Sequence, residues 1–544
     1  MALSNFPNDF IHWYLEEIKS RIVSQSGIPT DRYHLGKIIL QSLKDAPDFL
    51  VQIDGATGER ESSGSVLARS VRCARALTRS GLRAGDVMAL MAPNHIHLAI
   101  PFYAALYLGI IIAPIDRTNV KRELKESFGV IRPSIIFCQS ENASEIRQAL
   151  VEINLNCRIV TFDEDDQNNS FSDFLEEDSF DVNEFRPTDI NAEDAMAFLL
   201  STSGTTGTPK VVASTYKSYS HLVPYLWKMH IEFPTPTRMM LIFSPLQWLT
   251  ATTSFLVSPI MRFTRLQSSR HITKDHAYHL INTYKPTYTI MSPFLMQTLL
   301  LSEDRECCDF SCFERISVGG SAVPSKIFIE AKKLLPKTLF QIAYASTEAG
   351  LVFDTSTPGT CGRPMGSLLV RLVNVDNQEE INECNVQGEL WVKGPGVFKE
   401  YYNNPEETAK AFSKDGWFRT GDIFYRDEHW NFYFVERIKM MLMYKGHQIS
   451  PFEIETVIQQ HSGVSEVAVT GISHPEFGDM AVACVVRNNE TVSAEEIKNF
   501  VKGSLSDTKH LKGGVVFMDK LPVTVTMKID RKKLKEMVLH MNRE

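Results

Sequence analysis

Short apolar runs, closed by Gly, Pro or polar residues, alternate with segments of helical periodicity through the first two thirds of the chain. "GDVMALMAP" and "PSIIFCQ" read as buried strands, since apolar residues follow one another there without a helical stripe. "SVLARSVRCARALTRSGL" has helical spacing and stops at Gly81. "LAIPFYAALYLGIIIAPI", Leu98 to Ile115, reaches the minimum length for a bilayer span. Pro101, Gly109 and Pro114 interrupt it, so it predicts a buried helix, Ile100 to Leu108, and then a buried strand, Gly109 to Ala113. Such alternation predicts α/β architecture with largely parallel sheets. "DEDDQNNSFSDFLEED" is acidic and predicts a solvated surface connection.

After about residue 436 the pattern changes. "VSEVAVTGISHP" and "MAVACVVRN" are strand-like. "SAEEIKNFVKGSL" follows, with Ser493 as N-cap and Glu496 three residues later, the spacing of a capping box. A small α+β unit is expected, with a hinge near "VERIK", Val435 to Lys439. The expected domains are therefore 1–435 and 436–544.

Composition narrows the function classes. The chain has 544 residues, enough for more than one domain. Hydrophobic residues make up 43% and charged residues 22%, as in soluble globular proteins. Its formal charge of −8, without a long run of one sign, argues against a nucleic-acid partner. The nine cysteines are odd in number and scattered, which fits a reducing compartment better than a disulfide framework. Cys307, Cys308 and Cys312 lie close in sequence, but His and Cys do not recur at metal-ligand spacing. The N-terminus lacks the pattern of a secretory signal, and "HMNRE" is not a peroxisomal S-K-L address, so a cytoplasmic location is expected.

The chemistry concentrates in "FLLSTSGTTGTPKVVAS", Phe198 to Ser214. A buried strand, "AMAFLL", runs into a turn with hydroxyls from Ser201, Thr202, Ser203, Thr205 and Thr206, glycines at 204 and 207, and the ammonium of Lys210. Gly204 and Gly207 free the backbone, and its N–H groups can form an anion-binding nest. Val211 after Lys210 rules out the Walker pattern. Two readings fit the stretch by itself: a polyphosphate-binding turn, or a mobile polar surface loop.

With its neighbours the stretch resembles the signature of the adenylate-forming (AMP-binding) enzymes, which include acyl-CoA synthetases, 4-coumarate–CoA ligases and firefly luciferases. "STSGTTGTPK" is followed, in order, by "GGSAVP" at Gly319, "YASTEAG" at Tyr344, "GELWVKGPGVFKEYYNNPEET" at Gly388, "DGWFRTGDI" at Asp415, "VERIKMMLMYKGHQISPFEIE" at Val435 and "LPVTVTMKIDRKKL" at Leu521. The resemblance runs from roughly residue 30 to the end. It is strongest to the insect luciferase-like and 4-coumarate-ligase-like branch. It implies an α/β multidomain fold: a large N-terminal domain of stacked αβα sheets with a β-barrel-like subdomain, and a small mobile α+β domain. It also implies a two-step reaction using ATP, Mg²⁺ and coenzyme A. A carboxylic acid becomes an acyl-adenylate, and a thiol then displaces AMP.

Site roles follow from the same resemblance. Ser201 to Gly207 and Lys210 would cradle phosphates. Thr347 would contact the α-phosphate, and Glu348 would hold Mg²⁺. Gly319, Gly320, Ser321, Tyr344 and Ala345 would line the adenine pocket. Asp422 would accept from the ribose hydroxyls, with Arg437 near the ribose and phosphates. Lys528 would serve adenylation. Lys445 and Gly446 would face the site in the thioester step after the small domain swings. Gln247 and Trp248 would line the acyl pocket, the alternative for Trp248 being a plain core residue.

Three positions depart from the family pattern. Met527 replaces a glycine before Lys528, Ala345 replaces a glycine beside Tyr344, and Gln247–Trp248 stand where luciferases carry histidines. The leading expectation is an acid–thiol ligase for a fatty or aryl acid of medium to long chain. The alternatives are a luciferase-like monooxygenase acting on an adenylated luciferin and a degenerate member that binds nucleotide without efficient turnover. An adenylation domain of a peptide synthetase is disfavoured.

Overall fold

The computed structural model describes residues 9–163, 170–176, 180–202, 210–226, 238–445, 447–489, 491–524 and 528–544. The described residues form four sheets. One has seven strands, in the order Glu400–Tyr401, Lys210–Thr215, Met196–Thr202, Ile111–Pro114, Val87–Met91, Ile135–Cys138 and Arg158–Thr161. Its last five strands are parallel neighbours, as the apolar runs predict. A nine-stranded sheet is parallel from Leu50–Asp54 across to Leu339–Ser346 and closes in an antiparallel edge, Gly350–Thr355 and Arg363–Pro364.

Helices Leu35–Asp45, Ser63–Arg79, Ala99–Leu108 and Leu249–Met261 share one core with both sheets, through Phe137 and Phe198 on one side and Val51 and Met240 on the other. All ten residues of Ala99–Leu108 are buried. The apolar stretch from Leu98 is therefore a core helix, and it ends at Gly109, in the left-handed conformation at φ 73°. A Cβ there would lie 2.8 Å from Ile190 Cγ2, so the strand begins two residues later than expected, at Ile111. Among the described residues, no helix is long and apolar enough to cross a membrane.

An antiparallel five-stranded sheet follows, from Leu369 through the long strands Phe418–Arg426 and Phe432–Arg437. The fourth sheet lies in a smaller C-terminal domain. It is built on the hairpin Val464–His474 and Gly478–Arg487, with apolar clusters on both faces.

Two local expectations change. Ser493 caps helix Ala494–Ser504 by accepting from Glu496 N at 3.2 Å, but the Glu496 carboxylate turns to His461 Nε2 at 3.1 Å rather than back to the cap. In the acidic connection, Phe171 and Phe174 form a short buried helix against Phe137, so that part is core and not solvated surface. Two aromatic rings outweigh the acidic residues that flank them.

Arg265 is fully buried between the two large sheets, and among the described residues no carboxylate pairs with it directly. Its Nη1 donates to Tyr103 Oη (2.5 Å) and Ser258 Oγ (2.7 Å), and its Nη2 to Gln52 Oε1 (2.6 Å). Gln52 Nε2 donates in turn to Glu61 Oε2 at 2.7 Å, passing the charge to a buried acid. Arg265→Leu would strand three buried acceptors and is expected to cost about 3 kcal/mol. Denaturant titration of the large domain checks this, and an unchanged midpoint would show that the network adds no net stability.

Candidate active site

The two sheets of the large domain and the antiparallel sheet converge where the sequence motifs meet. Strands Met196–Thr202 and Lys210–Thr215 form a hairpin in which Thr202 pairs with Lys210 and donates through Oγ1 to the Lys210 carbonyl at 3.2 Å. Ser201 lies exposed at the end of the first strand, and Thr202 is half-buried. Ser203, Gly204, Thr205, Thr206 and Gly207 lie outside the described residues, as do Gly446 and Met527.

Lys210 is ion-paired with Glu407, and its ammonium lies 4.7 Å from the centre of the Tyr401 ring. Bonding to Lys210 and Lys410 holds the Glu407 carboxyl down to about 2. Tyr401 Oη donates to Glu348 Oε1 at 3.0 Å. Lys210 thus reaches Glu348 through one aromatic ring. Neither Tyr401 nor Glu407 was singled out by sequence reasoning, although both lie in the "KEYYNNPEET" block. The signal that locates them is strand Glu400–Tyr401, which pairs with Lys210–Thr215 across almost two hundred residues of sequence.

Thr347 and Glu348 occupy the turn between strands Leu339–Ser346 and Gly350–Thr355, not a helix start. Phe398 N donates to the Glu348 carbonyl at 2.7 Å and fixes the turn. Burial pushes the Glu348 carboxyl above its ordinary pKa, against the opposing hydrogen bond from Tyr401. A backbone N–H bond at Glu348 opposes the rise as well. No group of three or more metal-type side chains occurs among the described residues. A single hard oxygen suits Mg²⁺, which fills its remaining positions with phosphate oxygens and water.

Asp422 is the centre of the opposite wall. It is 3% exposed and follows Gly421, at φ 70°. Tyr344 Oη donates to Oδ2 at 2.5 Å. Arg437, its cross-strand partner, places Nε 3.2 Å from Oδ1, but the alignment makes no hydrogen bond, and among the described residues Oδ1 is a buried acceptor without a donor. Burial raises the Asp422 pKa, while Arg437 and Tyr344 oppose the rise. An unfilled buried acceptor held by a rigid strand fits a ligand hydroxyl. Tyr344 therefore does more than line a pocket, because its hydroxyl orients Asp422. Ala345, at a bulge beside it, is exposed toward the cleft.

Gly319 ends strand Arg315–Gly319, where a Cβ would stand 2.5 Å from the Ala343 carbonyl, so no larger residue fits. Gly320 adopts φ 90°, and a Cβ on it would lie 3.9 Å from Lys528 Cε. Lys528 of the small domain therefore rests over the Gly319–Gly320–Ser321 segment. Its loop is closed by Thr524 N donating to the Lys528 carbonyl at 2.7 Å. The residue as a whole is exposed. Desolvation at its ammonium, with the charge of Arg437, lowers its pKa.

Other expected residues stand apart from this cluster. Lys445, at φ 48°, lays its ammonium 4.8 Å from the centre of the Phe477 ring in its own domain. Gln247 and Trp248 are both half-buried, with Trp248 the N-cap of helix Leu249–Met261. A half-buried tryptophan at a helix start is not a plain core residue.

The AMP-binding enzyme family model matches residues 41–402, and that of the AMP-binding enzyme C-terminal domain matches residues 453–528. The chain is 31% identical over 487 residues to luciferin 4-monooxygenase of Photuris pensylvanica, covering 87% of this chain and 88% of that protein. It is 28% identical over 509 residues to 4-coumarate–CoA ligase 4 of Arabidopsis thaliana, covering 89% and 87%. In structure it is similar to ATP-bound MatB from Rhodopseudomonas palustris, with a TM-score of 0.83, 24% identity, and 93% and 98% of the two chains covered. The buried acceptor on Asp422, the Thr347–Glu348 turn and Lys528 over Gly320 thus lie in a chain that belongs to the AMP-binding, adenylate-forming enzymes.

Proposed function

We propose that this enzyme is an AMP-forming acid–thiol ligase that activates a fatty or aryl carboxylic acid with ATP and transfers the acyl group to coenzyme A. The observation that carries the reading is a linked set of charges: Lys210 and the half-buried Glu348 meet at Tyr401, Arg437 stands against the buried Asp422, and Lys528 lies beside Gly320. Bringing a carboxylate onto a phosphate requires fixed positive charge where negative charge gathers.

Each group has a role in this reading. Asp422 takes the ribose hydroxyls through its open oxygen and is aimed by Tyr344. Thr347 donates to the α-phosphate. Lys210 and the hydroxyls of Ser201 to Thr206 hold the β- and γ-phosphates. Arg437 and Lys528 lie beside the attacking carboxylate and the α-phosphate, so the acid oxygen displaces pyrophosphate under two positive charges. Glu348 would hold Mg²⁺, which supplies charge neutralisation for the departing pyrophosphate. Gly319, Gly320 and Ala345 admit the flat adenine ring, and Trp248 with Gln247 walls the acyl chain. The domains would divide at 435/436. Rotation about Glu436 would then carry Lys528 out and bring Lys445 and Gly446 in for the thioester step.

A second reading, a monooxygenase acting on adenylated luciferin, draws on the similarity to the Photuris protein. Gln247 and Trp248, in place of histidines, speak against it. Photon counting with luciferin, ATP and oxygen discriminates the two, and light well above a no-enzyme control would favour the monooxygenase.

Three outcomes are expected. ATP–pyrophosphate exchange, scanned over fatty and cinnamic-type acids, should peak at one acid, and Lys528→Ala should lower it by about 100-fold or more. Exchange equal to wild type in that variant would remove Lys528 from the chemistry. Tyr344→Phe should raise the KM for ATP about fivefold with little change in kcat, since it loosens Asp422 without touching the reacting atoms. A fall in kcat alone would contradict that role. For pH, Lys528 acts as the cation and its pKa is lowered, so exchange should fall on the alkaline side below the ordinary lysine value. Lys528→Arg should move that limb upward. Asp422 and Glu348 act as anions with raised pKa, so the acid limb should lie above the ordinary carboxylate range. A profile flat through both regions would refute these assignments.

A further inference from the structure

The small domain lands on the large one at two points along a single segment. Lys528 lies over Gly320, and six residues further on Lys326 Nζ donates to the Gln459 carbonyl at 3.2 Å. Lys326 is the second residue of helix Ser325–Leu334. A cation in the first turn opposes the dipole of its own helix. Gln459 is the C-cap of helix Pro451–Ile458 in the small domain. There the last carbonyls lack helical donors, and the dipole presents its negative end. The ammonium that is unfavourably placed on its own helix therefore completes another.

The N-terminus of helix Pro451–Ile458 is also held, at the junction between the two domains. Glu436, in strand Phe432–Arg437, accepts from Phe452 N at 3.2 Å. Ser450 Oγ caps the helix from within, accepting from Glu453 N, and donates to the Val435 carbonyl at 2.9 Å. The helix thus meets an acid at its positive end and a base at its negative end. Within the small domain it is locked to the sheet by Glu455, which binds Arg531 (2.8 and 3.0 Å) and accepts from Val469 N (2.6 Å). The orientation of this helix is therefore the orientation of the domain that carries Lys528.

We propose that Lys326 is a positioning residue: by capping helix Pro451–Ile458 across the domain interface, it holds the small domain in the orientation that places Lys528 at Gly320, and so favours acyl-adenylate formation over the thioester step. The assignment of half-reactions rests on the ligase reading above, whereas the contact itself does not. Releasing the cap leaves both helices and all site residues intact. Only the balance between domain orientations shifts.

The test compares Lys326→Ala, Lys326→Glu and Lys326→Arg. Lys326→Ala should lower ATP–pyrophosphate exchange about threefold to tenfold, using the acid that wild type exchanges fastest. Lys326→Glu should lower it further, and Lys326→Arg should remain near wild type. Thioester formation from the pre-made acyl-adenylate and coenzyme A should be unchanged or faster in all three. An acid at the start of helix Ser325–Leu334 favours that helix, so a loss in Lys326→Glu is not a folding defect. Equal losses in both half-reactions, or no loss in either, would overturn the proposal. Hydrogen exchange read by mass spectrometry without substrates tests the contact independently of activity. Peptides covering 319–326 and 451–461 should exchange faster in Lys326→Glu than in wild type or Lys326→Arg, and identical protection would overturn the latch. A wild type that exchanges no pyrophosphate with any acid would defeat the ligase reading alone, and hydrogen exchange would still decide the latch.

Discussion

Everything at this site depends on keeping two carboxylates charged in places that penalise charge. Asp422 and Glu348 are both desolvated, and both have raised pKa values. An uncompensated buried carboxylate would take up a proton and lose its charge. The surroundings answer with donors of matched type. Tyr344 donates to Asp422 and Tyr401 to Glu348, so a phenol rather than a second cation orients each acid. Arg437 stands near Asp422 without taking its last lone pair. The arrangement is stable enough to persist and unsatisfied enough to bind.

The cations are arranged by a different logic. Lys210 is parked against Glu407 and the Tyr401 ring, and Lys528 arrives from another domain. Desolvation lowers the pKa of Lys528, and the charge of Arg437 lowers it further. With one of the cations on the small domain, the charge of the cleft depends on how the two domains pack. The docking is itself electrostatic, with helix Pro451–Ile458 held by Glu436 at one end and Lys326 at the other. Such contacts are individually weak.

Much of this was legible in the chain. The apolar runs from Val87, Ile135 and Met196 made parallel strands because nothing in a two-sided buried strand depends on distant detail. The ordered motifs singled out Asp422, Glu348, Arg437 and Lys528, and the structure brings Arg437 to Asp422 and Lys528 to Gly320. The stretch from Leu98 also declared itself a core helix through its proline and glycine interruptions.

Tertiary structure alone decided the rest. That Tyr401 serves Glu348 follows from a pairing between strands far apart in sequence, and no local pattern encodes it. Phe171 and Phe174 looked solvated beside their acidic neighbours until the fold supplied Phe137 as a partner. Lys326 is an ordinary surface lysine in sequence, and it meets Gln459 only because another helix ends where its ammonium reaches. Residue type and short spacing determine which groups are available for chemistry. Which of them meet is set by chain crossings and domain packing, where the relevant distance is through space and not along the sequence.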